Sequence, residues 1–453
     1  MKTSLKIILP ILAVLGGGTA WLATRTPTSP FEGAAAATPD TALVERGAYL
    51  ARATDCVACH STMGKPAFTG GLDMPTPMGA IYATNITPDK ETGIGNYTLA
   101  DFDKALRKGV APDGHRLYPA MPYPSYAKLS DEDVRALYAF FMAKVPAVRQ
   151  PNRESEIPWP LNMRWPLAIW NAAFAPDTPY QADPAKSASW NRGAYLVEAA
   201  GHCGACHTPR GIAMNEKGLD ASSASFLSGA LIDGWYAPSL RNDANTGIGR
   251  WSEADVYGFL KHGRNVHGVV YGSMAEAFNN STQFLTDADL RAIATYLKSL
   301  PGDTGRDGEP WQYTAGDSAK QLSASGILEN PGAQVYRAKC SFCHGNDGKG
   351  RTPYIPPLAG TASSMGEHDA STINITLNGS DRLVASGIPQ SYRMPAFRDQ
   401  LTDQQIADVT RFIRESWGNR GVAEGGGTSA KDVAELRKDT QAAGIVPKLL
   451  PTP

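Results

Sequence analysis

Cys56-Val57-Ala58-Cys59-His60 sets a pattern that this chain repeats as Cys203-Gly204-Ala205-Cys206-His207 and as Cys340-Ser341-Phe342-Cys343-His344. The three copies use all six cysteines of the 453 residues. Two thiols at this spacing add to the two vinyl groups of one porphyrin, and the adjoining imidazole is then held under the iron, which is the attachment chemistry of c-type haem. A zinc knuckle would need four Cys or His ligands brought together, and a disulfide framework would not require His after every second Cys. Three pairs out of three, with no cysteine left over, assign three covalently bound haem c groups. Cys56, Cys59, Cys203, Cys206, Cys340 and Cys343 hold them, and His60, His207 and His344 are the proximal ligands.

The motifs lie 147 and 137 residues apart, counted from Cys56 to Cys203 to Cys340. That spacing fits one domain per third of the chain, at about 150 residues per domain. The formal net charge of −1 leaves no basic field for nucleic acid.

The repeat reaches beyond the motif. Arg46-Gly47-Ala48-Tyr49-Leu50 precedes the first copy and Arg192-Gly193-Ala194-Tyr195-Leu196 the second, with a weaker Gly332-Ala333-Gln334-Val335-Tyr336 before the third. Each reads as a short helix ending at its motif. Tyr82-Ala83 through Gly95 aligns without a gap to Tyr236-Ala237 through Gly249, so the first two thirds read as a duplication. Each third then closes on a helix whose N-cap is Ser130, Thr286 or Thr402. Asp133, Asp289 or Gln405 stands three residues on to return the cap's bond, and apolar residues continue at helical spacing. Helix, haem motif, long loop and capped helix make an all-α chain of three tandem cytochrome c-type domains.

An electron carrier needs both axial positions of its iron filled, and Met thioether is the usual partner of His in cytochromes c. Met121, Met274 and Met394 follow their proximal His by 61, 67 and 50 residues and stand at the same place ahead of the closing helix, so they are the expected distal ligands. His262 and His267 are the alternative to Met274. His115, His202 and His368 have no required role, and Tyr118, Tyr271 and Arg393 are candidates to bond a haem propionate.

Lys2 and Lys6 precede an uncharged apolar run from Ile7 to Thr24, followed by Arg25. Eighteen helical residues span roughly 27 Å, enough for a thin bilayer, with the lysines kept cytoplasmic. Gly18 and Ala20 suit a cleavage site, but the run continues through Trp21-Leu22, which favours a retained anchor over a cleaved signal. Either segment exports the haem domains to the periplasmic face of a bacterial inner membrane. The expected division is 1–38 signal or anchor and tether, 39–150 first haem domain, 151–186 aromatic connector, 187–301 second domain, 302–330 linker, 331–420 third domain and 421–453 tail. The connector is expected to pack between haem domains, with a partner or quinone surface as the alternative. The linker is expected to be a spacer, and the tail to hold a short helix over Ala430–Lys438.

Tyr82 to Asp89, Tyr118 to Ser125, Trp159 to Leu167 and Gly201 to Gly211 together resemble the triple-haem cytochrome c subunit of membrane-bound periplasmic dehydrogenases of acetic acid bacteria. The resemblance covers about residues 40–420. It implies that a separate catalytic subunit oxidises alcohol, aldehyde, gluconate, sorbitol or fructose, and that electrons go on to ubiquinone. Within the family, alcohol types carry pyrroloquinoline quinone, sugar and gluconate types flavin, and aldehyde types molybdopterin with an iron–sulfur subunit. The run ending Trp21-Leu22-Ala23-Thr24-Arg25 resembles the aldehyde type. No nicotinamide, flavin or pterin motif occurs in this chain, so no substrate-oxidising site is expected in it. A haem peroxidase would need an open axial position, and a zinc-stapled scaffold would be colourless.

Overall fold

The computed structural model describes residues 24–33, 40–383, 385, 391–419 and 427–443, with Gly18 and Trp21. The chain divides into two compact units. One comprises Met1–Ala182, Glu198–His202 and Gly211–Asn215; the other comprises Asp183–Val197, Cys203–Arg210 and Glu216–Pro453. The first holds the first haem motif, and the second holds the proximal histidines of the other two.

Each motif follows a leading helix, and each leading helix packs on a closing helix. In the first unit Thr41–Ala53 packs on Asp131–Ala143; in the second, Ala188–Tyr195 packs on Asp287–Ser299 and Pro331–Lys339 on Asp403–Glu415. The glycine of each repeat stands at the crossing. A Cβ on Gly47 would lie 1.9 Å from the Ala136 carbonyl oxygen, on Gly193 2.0 Å from that of Ala292, and on Gly332 2.2 Å from that of Asp408. The two backbones therefore meet where a side chain has no room.

The arginine before the glycine has a partner as well. Arg46 donates Nε and Nη2 to Asp133 Oδ1 at 2.8 and 2.5 Å, and Arg192 donates to both oxygens of Asp289 at 2.8 Å. Those aspartates stand three residues after the N-caps of their closing helices, at the position expected to return the cap bond, and the arginines engage them. The third domain has Pro331 and Gln405 at these two places. Its Gln405 closes a full capping box, accepting from Thr402 N at 2.9 Å while Thr402 Oγ1 accepts from Gln405 N at 3.2 Å. Ser130 and Thr286 cap as expected, accepting from the amides of Asp133 and Asp289.

The expected mostly helical, three-domain architecture holds, with two short antiparallel hairpins added to it, Asp73–Thr76 with Gly79–Tyr82 and Ala230–Ile232 with Trp235–Ala237. The second turns on Asp233-Gly234, whose φ values of 50° and 75° are those of the two-residue turn that Asp-Gly favours. Each hairpin leads into one copy of the gapless repeat.

The linker 302–330 is more than a spacer, and the connector 151–186 presents an exposed face. In 302–330, Asp307 is buried and accepts from Asn245 N, Thr246 N and Thr246 Oγ1 at 2.8, 2.9 and 2.8 Å, while Trp311 packs on the third domain's core and donates to the Trp417 carbonyl at 3.2 Å. A spacer would need none of this. In 151–186, Ile157 and Asn171 are buried, yet Trp159 is 77 % exposed, Leu161 52 %, Trp165 47 % and Ile169 41 %. The aromatic stretch turns outward rather than into a core. The tail helix forms at Ala430–Asp439, with Val433 fully buried and Arg437 Nε donating to Asp403 at 2.7 Å. Of the expected anchor at Ile7–Thr24, only Gly18, Trp21 and Thr24 are among the described residues. Among those residues, no helix is long and apolar enough to cross a membrane.

Gly193→Ala is expected to destabilise the haem-loaded protein by about 1–3 kcal/mol, because the added methyl overlaps a backbone carbonyl. Gly258→Ala, inside the helix Glu253–His262 with its nearest neighbour 3.9 Å away, is expected to stabilise it by about 0.4–1 kcal/mol. Denaturant unfolding of the two variants checks both signs.

Candidate haem sites

No two of the six cysteines form a disulfide, and each pair flanks or sits in a one-turn helix that ends at or beside its histidine: Cys56–Cys59, Gly204–His207 and Ser341–His344. One helical turn brings the two sulfurs and the imidazole to one side, which a porphyrin edge requires. Burial raises the first thiol of each pair, Cys56 to about 11 and Cys203 and Cys340 to about 12. Burial also lowers His60, His207 and His344 below the ordinary imidazole value, so each ring is neutral.

Each neutral ring is oriented by a backbone carbonyl. His60 Nδ1 lies 2.7 Å from the Thr84 oxygen, His207 Nδ1 2.7 Å from that of Pro238, and His344 Nδ1 3.0 Å from that of Pro356. A carbonyl only accepts, so Nδ1 carries the proton and Nε2 keeps its lone pair for a metal. Sequence reasoning missed these acceptors. The signal was present: Thr84 and Pro238 occupy the same position of the gapless Tyr-Ala repeat.

The Thr-Gly-Ile-Gly end of that repeat fixes the loop. Ile94 N donates to the Thr87 carbonyl at 2.9 Å, and Ile248 N to that of Arg241 at 3.0 Å. A Cβ on Gly95 would lie 2.3 Å from the Pro88 oxygen, and one on Gly249 2.6 Å from that of Asn242. Only glycine lets the loop fold back closely enough to present the carbonyl. The third domain reaches the same result differently, with Gly350 at φ 63° placed so that a Cβ would meet the Pro356 oxygen at 2.4 Å.

Cys340, Cys343, His344 and Met394 line one cavity of about 230 Å³, whose remaining walls are largely apolar. Tyr271 and Arg393 line it too. Two thiols, a neutral imidazole and a thioether around one apolar cavity suit a covalently held haem. Met121 is half-buried in the turn before Tyr123–Tyr126, and Met274 is half-buried at the head of Met274–Asn280, packed on the cluster of Val270, Ala275 and Phe278. Three residues before Met121, the Tyr118 hydroxyl is buried with no hydrogen-bond partner among the described residues, and Arg164 lies 3.5 Å over its ring. An orphaned buried donor beside a cation suits a propionate at the first site.

The other histidines have different neighbours. His267 stacks on Trp251 at 5.3 Å, lies 3.5 Å from Asp255, and lines the third cavity; His262 sits edge-on to Tyr257. His202 contacts Tyr126 edge-on, His368 packs on Tyr236, and His115 pairs with Asp113. Among the described residues, no three His, Cys, Asp or Glu side chains converge as a zinc site would require.

Comparison with known proteins matches the cytochrome c family model at residues 44–143, 191–301 and 330–417. The chain is 52 % identical over 403 residues to the gluconate 2-dehydrogenase cytochrome c subunit of Pantoea cypripedii, covering 88 % of this chain and 90 % of that one. It is 49 % identical to the cytochrome c subunit of the quinone alcohol dehydrogenase of Gluconacetobacter polyoxogenes, over 90 % and 87 % of the two chains. It is 41 % identical to the fructose dehydrogenase cytochrome subunit of Gluconobacter japonicus, over 83 % and 79 %.

Gly249→Ala displaces the loop that presents the Pro238 carbonyl. Loss of the bond to Nδ1 makes the imidazole a weaker donor to iron and favours the reduced state. A redox titration is expected to show the potential of the second haem raised and that of the first haem unchanged.

Proposed function

The chain belongs to the cytochrome c family, and we propose that it is the triple-haem electron-transfer subunit of a periplasmic, membrane-bound dehydrogenase, linking a separate catalytic subunit to ubiquinone. The observation that carries this reading is the threefold recurrence of one arrangement, a pair of thiols and a neutral histidine held by a backbone carbonyl. Haem iron, when bound, supplies reversible one-electron exchange. The chain's own residues do the rest. The cysteines fix the porphyrin against loss, the carbonyls of Thr84, Pro238 and Pro356 fix the ring plane of each histidine, and apolar walls keep water away. Met121, Met274 and Met394 would supply the second donor to each iron, so that the ligand set need not change between oxidation states.

Nothing in the chain binds a substrate in this reading, and the catalytic subunit supplies the electrons. The names of the relatives point to gluconate, alcohol or fructose oxidation for those proteins, whereas the N-terminal run resembles the aldehyde type with its iron–sulfur subunit. The cofactor of the co-purifying large subunit separates these: flavin for the sugar and sugar-acid types, pyrroloquinoline quinone for alcohol, molybdenum with iron–sulfur iron for aldehyde. In the complex extracted with mild detergent, the substrate of that subunit is expected to reduce all three haems, and added ubiquinone to reoxidise them. Haems that stay oxidised while the catalytic subunit turns over with an artificial acceptor would refute the role.

The axial assignment has its own test. Met394→Leu is expected to retain three covalently bound haems by mass spectrometry, yet its reduced form should bind carbon monoxide at one haem where the parent binds little. An unchanged low-spin spectrum and unchanged potentials in Met121→Leu, Met274→Leu and Met394→Leu would overturn it.

A further inference from the structure

The stretch between Glu156 and Asp177 contains a single charged residue, Arg164, and no acid. In a chain with 43 basic and 44 acidic residues, a run of this length with one charge ordinarily lies in a core. Here it lies outward. Trp159, Leu161, Met163, Trp165 and Ile169 are 77, 52, 38, 47 and 41 % exposed. The inner face of the same segment is well held: Asn171 accepts from the Tyr123 hydroxyl at 2.6 Å and donates to the Lys108 carbonyl at 3.0 Å, and Trp170 Nε1 donates to the Ala213 carbonyl at 2.8 Å. The exposed face is thus the outside of a fixed element.

A second observation says what covers it. The apolar run Ile7–Thr24 ends where Arg25 enters the described structure, and Arg25 is tied to this segment through two bonds. Arg116 Nη2 donates to the Arg25 carbonyl at 2.9 Å, and Arg164 Nη1 donates to the Arg116 carbonyl at 3.0 Å. Arg25, Pro27 and Ser29 also share a cavity with Ala168, Asn171 and Ala172 of the helix Leu167–Phe174. Trp21, 57 % exposed, carries the Arg25 guanidinium 4.9 Å over its ring. Arg25, which follows the apolar run in sequence, is therefore held at this segment.

We propose that this face is a membrane-interface patch, with Trp159, Leu161, Met163, Trp165 and Ile169 lying in the headgroup and upper acyl region of the bilayer. Tryptophan with Leu, Met and Ile suits that depth, where an indole keeps its N–H among polar groups and its ring among acyl chains. Arg25 stands at the level of lipid phosphate. An acidic residue in the patch would be repelled by anionic lipid, and the stretch has none. The patch would hold the first haem unit against the bilayer independently of whether Ile7–Thr24 is retained. The proposal rests on the membrane-bound reading above.

The test uses the full-length, haem-loaded chain in its own complex and native membranes. A benzophenone side chain is placed at Leu161 or at Met163, and as control at Leu328, which is 77 % exposed on the other unit. After irradiation, lipid adducts are expected at 161 and 163, at least tenfold above position 328. Adducts from 161 and 163 to the catalytic subunit or to quinone, or lipid adducts no more frequent than at 328, would overturn the proposal. Substrate reduction of the three haems is followed in the same samples. Haems reduced without lipid adducts reject the patch alone, and lipid adducts with haems that stay oxidised reject the electron-transfer role alone.

Discussion

A hydrogen bond from an imidazole Nδ1 to a backbone carbonyl is the constraint on which each haem site of this protein depends. In the proposed assignment the ligand atom would be Nε2, but an imidazole attached only by its Cβ rotates freely, and a rotating ring cannot hold a fixed bond to iron. Thr84, Pro238 and Pro356 remove that freedom at 2.7, 2.7 and 3.0 Å. A main-chain acceptor is indifferent to the side chain that bears it, which is why Thr and two Pro residues serve equally. It makes its demand elsewhere, on the loop that must place a carbonyl within hydrogen-bond reach. Gly95, Gly249 and Gly350 meet that demand, since at each a Cβ would strike a carbonyl oxygen within about 2.6 Å.

The same logic holds one level out. The proximal histidine follows directly on its cysteine pair, so the leading helix that ends at the motif fixes where the pair begins. That helix is positioned by its crossing with the closing helix. Gly47, Gly193 and Gly332 let the two backbones touch, and in the first two domains an arginine next to the glycine clasps an aspartate at the head of the closing helix. In the third domain both members of the pair change together, to Pro331 and Gln405. Proline suits the first turn of a helix, and Gln405, with no arginine to satisfy, completes its own capping box. The weaker third repeat is therefore a change of fastening at one crossing.

Much of this was legible in the residues alone. Motif spacing and capped helices identified the helical repeat, because haem attachment and N-capping are local and leave fixed spacings in the chain. The hairpins were less legible, being three or four residues long, although Asp233-Gly234 is a recognisable turn. The acceptor carbonyls were hidden because backbone atoms have no signature in sequence; only the alignment of Thr84 with Pro238 hinted at them. Linker 302–330 looked like a spacer because it is polar, but Asp307 and Trp311 act over a distance that local composition does not report. The Trp-Pro stretch misled in the opposite sense, since aromatic content says that a surface is to be covered and is silent on what covers it.

Pro238 joins the last two sites in one unit. Its carbonyl orients His207, and the same residue lines the cavity that holds Cys343, His344 and Met394. The hairpin leading to it is clamped to the far wall of that cavity. Tyr236 N donates to Ser371 Oγ at 2.9 Å, Ser371 Oγ donates back to the Tyr236 carbonyl at 3.0 Å, and Asn374 Nδ2 donates to the Gly234 carbonyl at 2.9 Å. Two main-chain partners on a single serine leave the hairpin little freedom to slide. A domain pair tied through side-chain contacts alone would let the two sites shift against each other as rotamers change. Held by its main chain at Gly234 and Tyr236, the hairpin that leads to Pro238 keeps a fixed place against the wall of the cavity that Pro238 itself lines.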